Sequence, residues 1–173
     1  EALRVLERRK NLRVLIAEKT DQDLDYRFIP AGLLIQTADA VEEDPNTWQT
    51  VTEKKPTAQQ FEDMKFAWQA AKHVKSNAIV LAESQTLLGM GAGQPNRVTS
   101  IHLAIRAAGT KSIGSVLASD AMFPFPDNVE AASAGGVAAI VQPGGSIRDA
   151  EIIEAADKLS IPMIFTGVRH FKH

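Results

Sequence analysis

The chain has 173 residues, 45% of them apolar, and carries 19 Lys and Arg against 21 Asp and Glu for a formal net charge of −2. That length supports the core of one domain, or one domain plus an extension, and excludes two full domains. The charge balance excludes a partner held mainly by electrostatics, nucleic acid above all, and the lack of cysteine excludes disulfide frameworks, Cys-zinc sites and thiol nucleophiles.

With neither a spanning apolar run nor a signal-like start, a cytoplasmic protein without a membrane partner is expected. The first residue is Glu1 rather than Met, which suggests a fragment of a longer polypeptide. Residues 2–10 read as a short helix whose basic end, Arg8-Arg9-Lys10, is solvated, and residues 12–16 as a strand. A second apolar stretch, 27–36, is interrupted by Pro30 and Gly32. Residues 37–56 turn polar and acidic, with Glu42-Glu43-Asp44-Pro45, and read as a surface connection. The expected organisation is therefore an N-terminal strand and helix segment with its connection, 1–56, and a principal C-terminal subdomain, 57–173, in one compact unit overall.

Thr57 opens the clearest helix. Gln60 lies at capping-box spacing, and Phe61, Met64, Trp68, Ala71 and Val74 recur every three or four residues, so that stripe is core. Strands are predicted at 78–81 and 86–90, a helix at 98–108, and a strand at 115–118. Asp127 is expected to cap a helix ending at Gly135-Gly136, and 137–141 reads as a buried strand. Ser146 is expected to cap a helix through Lys158, and 162–166 makes the last strand. The alternation predicts a layered α/β sheet.

Four motifs fall at strand ends or helix starts, where backbone N–H groups and side chains converge on a polar ligand. They are Ser76-Asn77-Ala78, Gly89-Met90-Gly91-Ala92-Gly93-Gln94-Pro95-Asn96-Arg97, Ser119-Asp120-Ala121-Met122-Phe123-Pro124-Phe125-Pro126-Asp127, and Thr166-Gly167-Val168-Arg169-His170-Phe171-Lys172-His173. The glycines do not make a dinucleotide fingerprint, because the third falls one position early and no acidic residue ends the following strand. They serve either a tight turn or, with Gln94, Asn96 and Arg97, a ligand, for which Arg97 could present a planar donor fork to a carboxamide or phosphate oxygen. Phe123 to Asp127 is either a helix start with core phenylalanines or a pair of aromatic walls for a flat heterocycle, with Asp127 accepting from its amino group. Pro143-Gly144-Gly145-Ser146 is a helix-start turn whose amides suit an anionic or carbonyl group. None of His73, His102, His170 and His173 has metal-ligand spacing, and the zinc-deaminase signature is absent; His73 reads as a helix-end residue.

These motifs, with Lys75 before Ser76 and the run Gln142-Pro143-Gly144-Gly145-Ser146-Ile147-Arg148-Asp149, resemble the C-terminal part of the AICAR transformylase region of bifunctional purine biosynthesis proteins. Those proteins pair that activity with IMP cyclohydrolase. The resemblance covers essentially the whole chain and is densest over 66–173. It implies formyl transfer from 10-formyltetrahydrofolate to 5-aminoimidazole-4-carboxamide ribonucleotide (AICAR) on a three-layer α/β/α, cytidine-deaminase-like subdomain without zinc, in a homodimer. It also implies that Asn77, Arg97, Met122 and Arg169 contact AICAR, with Arg169 on its phosphate. Val98, Phe125, Asp127, Ser146 and Ile147 would line the folate side, and Asp120 and His173 would serve a structural potassium ion. Met122 departs from the usual phenylalanine.

The catalytic Lys-His pair of that family belongs to the preceding subdomain, and Lys72-His73 is not its equivalent. Asn77 could support the missing base but not replace it, so the chain is expected to need its N-terminal transformylase partner for turnover. A non-catalytic nucleotide- or folate-binding or regulatory module remains the alternative. A dimerisation scaffold is the third reading, disfavoured by polar groups gathered from four separate turns.

Overall fold

A computed structural model describes residues 2–9, 11–16 and 24–172. The chain divides into two compact units, residues 1–42 and 43–173. In the first, α1 (Ala2–Leu6) is followed by a hairpin of β1 (Leu24–Ile29) and β2 (Gly32–Thr37), antiparallel with Tyr26 opposite Ile35 and Phe28 opposite Leu33. Pro30, within the apolar stretch, lies in the turn between the two strands, and Gly32 opens the second. Residues 12–16, expected as a strand, form none. Branched residues favour a strand only where a neighbouring ladder accepts them.

The second unit is a mixed α/β structure around a six-stranded sheet. Its elements are β3 (Gln49–Thr50), α2 (Ala58–Lys72), β4 (Ile79–Glu83), β5 (Thr86–Gly91), α3 (Arg97–Ala108), β6 (Val116–Ser119), α4 (Asp127–Ala134), β7 (Ala139–Gln142), α5 (Asp149–Lys158) and β8 (Met163–Phe165). The strand order is β3-β8-β7-β6-β4-β5. β8, β7 and β6 run parallel, while β3, β4 and β5 pair antiparallel to their neighbours. The supposed surface connection therefore supplies an edge strand. Val51 and Thr52 continue its docking: the Val51 amide donates to the Met163 carbonyl at 3.0 Å, and Thr52 Oγ1 accepts from the Met163 amide at 2.8 Å.

Alternation along the strands separates two apolar clusters. Val80, Ala82, Val116, Ala118, Ala139 and Val141 pack with Met64, Ala67, Trp68 and Ala71 of α2. Ile79, Leu81, Leu117 and Ile140 pack with Ile101, Val129 and Ile152 of α3, α4 and α5. α2 starts where its sequence says, since Thr57 and Gln60 form the reciprocal capping box, and His73 is its C-cap.

Two helix starts differ from expectation. Pro126, not Asp127, holds the cap position of α4, and Asp127 is its first residue. At α5 the cap position falls to Arg148. Ser146 Oγ still accepts from the Arg148 amide at 3.2 Å, while the Asp149 carboxylate accepts from the Gly145 amide at 2.7 Å and the Ser146 amide at 3.1 Å. Those amides, read as suited to an anionic ligand, are thus already satisfied within the chain.

Glycine settles how α3 meets β5. A Cβ on Gly91 would lie 1.9 Å from the Ser100 carbonyl oxygen, and one on Gly89 would lie 2.2 Å from that of Ala104. Both glycines belong to the strand and permit close approach of the helix backbone, so neither forms a strand-to-helix turn or a phosphate cradle.

Candidate functional site

The topology brings the four motifs to one sheet edge. β6, β7 and β8 are parallel, so their C-terminal ends lie together; β4 is antiparallel to β6, so its start joins them, with Ile79 opposite both Ser119 and Gly91. Ligands of open α/β sheets favour this end. A cleft of about 340 Å³ opens there, lined by Asn77, Arg97, Met122, Phe125, Asp127 and Arg169 together with Pro95, Asn96, Asn128 and Phe171 among others.

Beneath the cleft lies a buried ion pair. Arg97 is 6% exposed and Asp120 0%; Arg97 Nη1 pairs with Asp120 Oδ1 and donates to Ser119 Oγ at 2.9 Å. Arg97 Nη2 donates to Asn77 Oδ1 at 2.8 Å, and Asn77 Nδ2 donates to the Gln94 carbonyl at 2.8 Å. Arg97 thus orients Asn77 while bordering the cleft, with much of its fork engaged by protein acceptors. Ser76 Oγ donates to the other Asp120 oxygen and accepts from the Lys172 amide at 3.1 Å.

The C-terminal segment is tied to the same centre. The His170 amide donates to the Asp120 carbonyl at 2.9 Å, and the Ser76 amide donates to the Lys172 carbonyl at 2.9 Å. The His170 imidazole, 1% exposed, meets Glu43 Oε1 at 2.7 Å and packs on the Trp68 ring at 5.0 Å. Trp68 Nε1 donates to that same carboxylate at 3.0 Å. These anchors hold Arg169 at the cleft, its guanidinium 4.8 Å above the Phe171 ring. Phe171 is 39% exposed and forms part of the cleft wall.

The two phenylalanines of the Phe-Pro-Phe-Pro run part company. Phe123 is wholly buried in the core, its amide donating to Gln142 Oε1 at 2.7 Å, so only Phe125 is a cleft wall. Arg148, assigned no site role from sequence, lies 4.9 Å over the Phe125 ring. Val98, Ser146 and Ile147 are absent from the cleft lining; the Val98 amide is held by Asn96 Oδ1 at 2.9 Å, and Ile147 is fully exposed. His173 lies outside the described residues. Asp120 has protein partners on both oxygens, so an ion there would have to share them. Among the described residues, no group of three or more His, Cys, Asp or Glu is placed to hold a metal ion.

Sequence reasoning missed the clamp of Glu43, Trp68 and His170. Its acid comes from a stretch read as a surface connection, and nothing local marks two residues 127 positions apart as partners. Asn128 was also missed, because a polar residue in a helix's first turn has an ordinary use there.

The AICARFT/IMPCHase bienzyme model matches residues 1–107. The chain belongs to that family. Among its relatives, the bifunctional purine biosynthesis protein PurH of Thermoanaerobacter sp. is 53% identical over 174 aligned positions, covering 100% of this chain and 34% of the relative. The PurH proteins of Synechocystis sp. and Streptococcus pneumoniae are 51% and 49% identical, covering the whole chain and 34% and 35% of their own lengths. The chain thus spans about a third of these relatives. Acinetobacter baumannii RibD, form 1, is similar over 61% of the chain and 33% of its own, at 18% identity and a TM-score of 0.41. For an AICARFT/IMPCHase family member, the cleft is formed partly outside the matched stretch, since Met122, Phe125, Asp127 and Arg169 follow residue 107.

Proposed function

We propose that the chain is the C-terminal half of the AICAR transformylase of its family. In that role it binds AICAR and 10-formyltetrahydrofolate in the cleft at the sheet edge and contributes to formyl transfer in IMP synthesis. The observation that carries the reading is the convergence of Asn77, Arg97, Met122, Phe125, Asp127 and Arg169 on one cleft. A three-layer, cytidine-deaminase-like arrangement belongs to the same reading, supported by separate apolar clusters on the two sheet faces.

The chemistry assigns each group a task. The AICAR amino nitrogen attacks the formyl carbon, a C–N bond forms, the bond from that carbon to folate N10 breaks, and one amine proton is passed on as N10 gains one. An aromatic amine is a weak nucleophile and needs a base within hydrogen-bond reach. That base, a Lys-His pair, belongs to the partner half in this reading. Asn77, with its side chain fixed between Arg97 and the Gln94 carbonyl, orients the carboxamide or that base. Arg169 pairs with the phosphate, Met122 packs against the nucleotide, and Phe125 and Asp127 meet the folate ring. In the same reading a potassium ion at Asp120 and His173 is structural, and Val98, Ser146 and Ile147 meet the folate outside the cleft lining. A homodimer in the cytoplasm completes the proposal.

Arg169 supplies the test. Loss of one charge-assisted hydrogen bond is worth about 1.5–3 kcal/mol, so Arg169→Ala should weaken AICAR binding roughly ten- to more than a hundredfold. Titration calorimetry on the chain reassembled with its N-terminal transformylase half reads this directly. Unchanged affinity in Arg169→Ala would remove the segment from the site.

A further inference from the structure

Asn128 is the second residue of α4, 2% exposed, and lies in the cleft wall beside Asp127. Its Nδ2 donates to the Phe125 carbonyl at 3.2 Å and to Asp127 Oδ1 at 2.7 Å. Turning the amide over would set Oδ1 against these two acceptors, so chemistry fixes its orientation. The consequence is a buried Oδ1 with no partner among the described residues. A buried carbonyl oxygen left unpaired is destabilising, and each such group in a native fold has to be explained.

Stability alone does not call for an amide here, because the unpaired oxygen offsets what the two donated bonds contribute. What the amide supplies is a grip on Asp127, an exposed carboxylate that would otherwise exchange among rotamers. A buried, immobile donor at 2.7 Å fixes the plane of that carboxylate at the cleft wall. An ionised carboxylate has about four lone-pair sites, so Oδ1 can accept from Asn128 and from a ligand together.

We propose that Asn128 is a positioning residue that presents Asp127 as a planar pair of acceptors, selecting a flat heterocycle with a ring N–H beside an exocyclic amino group. Two adjacent donors match two carboxylate oxygens in the geometry of an arginine fork. Phe125, 48% exposed and in the same wall, offers the face against which such a ring lies. The inference rests on the function proposed above, because the 2-amino-4-oxo edge of a pterin has this donor pattern.

The test compares tetrahydrofolate with its 2-desamino analogue on the reassembled enzyme. Wild type should prefer the amino compound roughly tenfold or more, the difference one charge-assisted hydrogen bond makes. In Asn128→Ala and in Asn128→Leu, which is closer in volume, the preference should shrink to within about threefold as the carboxylate is released, with melting temperature unchanged or raised. A preference retained in both variants overturns the inference and leaves the proposed function standing. Lowered melting temperatures in both would make Asn128 a structural residue and overturn it equally. A wild-type enzyme that binds neither compound would overturn the proposed function on which it rests.

Discussion

Replacing Asp120 by alanine should unfold the second unit more readily than any other single change at the cleft. Asp120 is fully buried and Arg97 nearly so, so removing the carboxylate strands a guanidinium in the interior with only neutral acceptors, Ser119 Oγ, Asn77 Oδ1 and, at 3.4 Å, the Ala78 carbonyl. Breaking one side of a buried pair costs about 3–5 kcal/mol, against a total of roughly 5–15 kcal/mol for a domain. Ser76 also loses its acceptor, which adds about 0.5–1.5 kcal/mol. For a unit of this size the sum lowers the melting temperature by roughly 10–20 °C. Urea denaturation followed by tryptophan fluorescence reads the change, because Trp48 and Trp68 both belong to this unit. The double change Asp120→Leu with Arg97→Met should recover most of the loss, since removing both charges also removes the uncompensated one. A single variant within about 1 kcal/mol of wild type, the range of an exposed ion pair, would refute the assignment of a buried pair.

Gly91→Ala should lower stability by about 1–3 kcal/mol or more, because its Cβ would fall 1.9 Å from the Ser100 carbonyl oxygen and α3 would have to move. Thermal denaturation checks it, and wild-type stability would mean that α3 and β5 do not touch there. Arg169→Lys should recover only part of the AICAR affinity lost in Arg169→Ala, since lysine keeps the charge and loses the two-pronged geometry; calorimetry showing full recovery would reduce the contact to charge alone.

How far the sequence reached depended on whether the signal was local. The Thr57 capping box and its apolar stripe contain their own geometry, and that helix appears where the residues place it. Short strands between 78 and 166 were legible because each apolar run is bounded by turn residues. The edge strand at Gln49–Thr50 was not, because two ladder residues leave no periodicity and their docking depends on β8. Gly89 and Gly91 were misread for a related reason: close approach between two backbones leaves no trace in either segment alone. At the cleft, residue types marked Arg97, Phe125 and Asp127, and the family resemblance marked Asn77, Met122 and Arg169, while the relations between them left no such sign. That Arg97 faces Asp120, that Asp149 takes the Gly145 and Ser146 amides, and that Glu43 reaches His170 are outcomes of tertiary packing.

Formyl transfer tests the central claim most directly. The purified chain would be assayed with AICAR and 10-formyltetrahydrofolate, alone and after addition of the N-terminal transformylase half, prepared free of host enzyme. The expected result is no turnover by the chain alone and recovered turnover on mixing, because the proposed function assigns binding groups to the cleft and the Lys-His pair to the partner half. Comparable turnover by the chain alone, or none after a complex has demonstrably formed, would contradict the account.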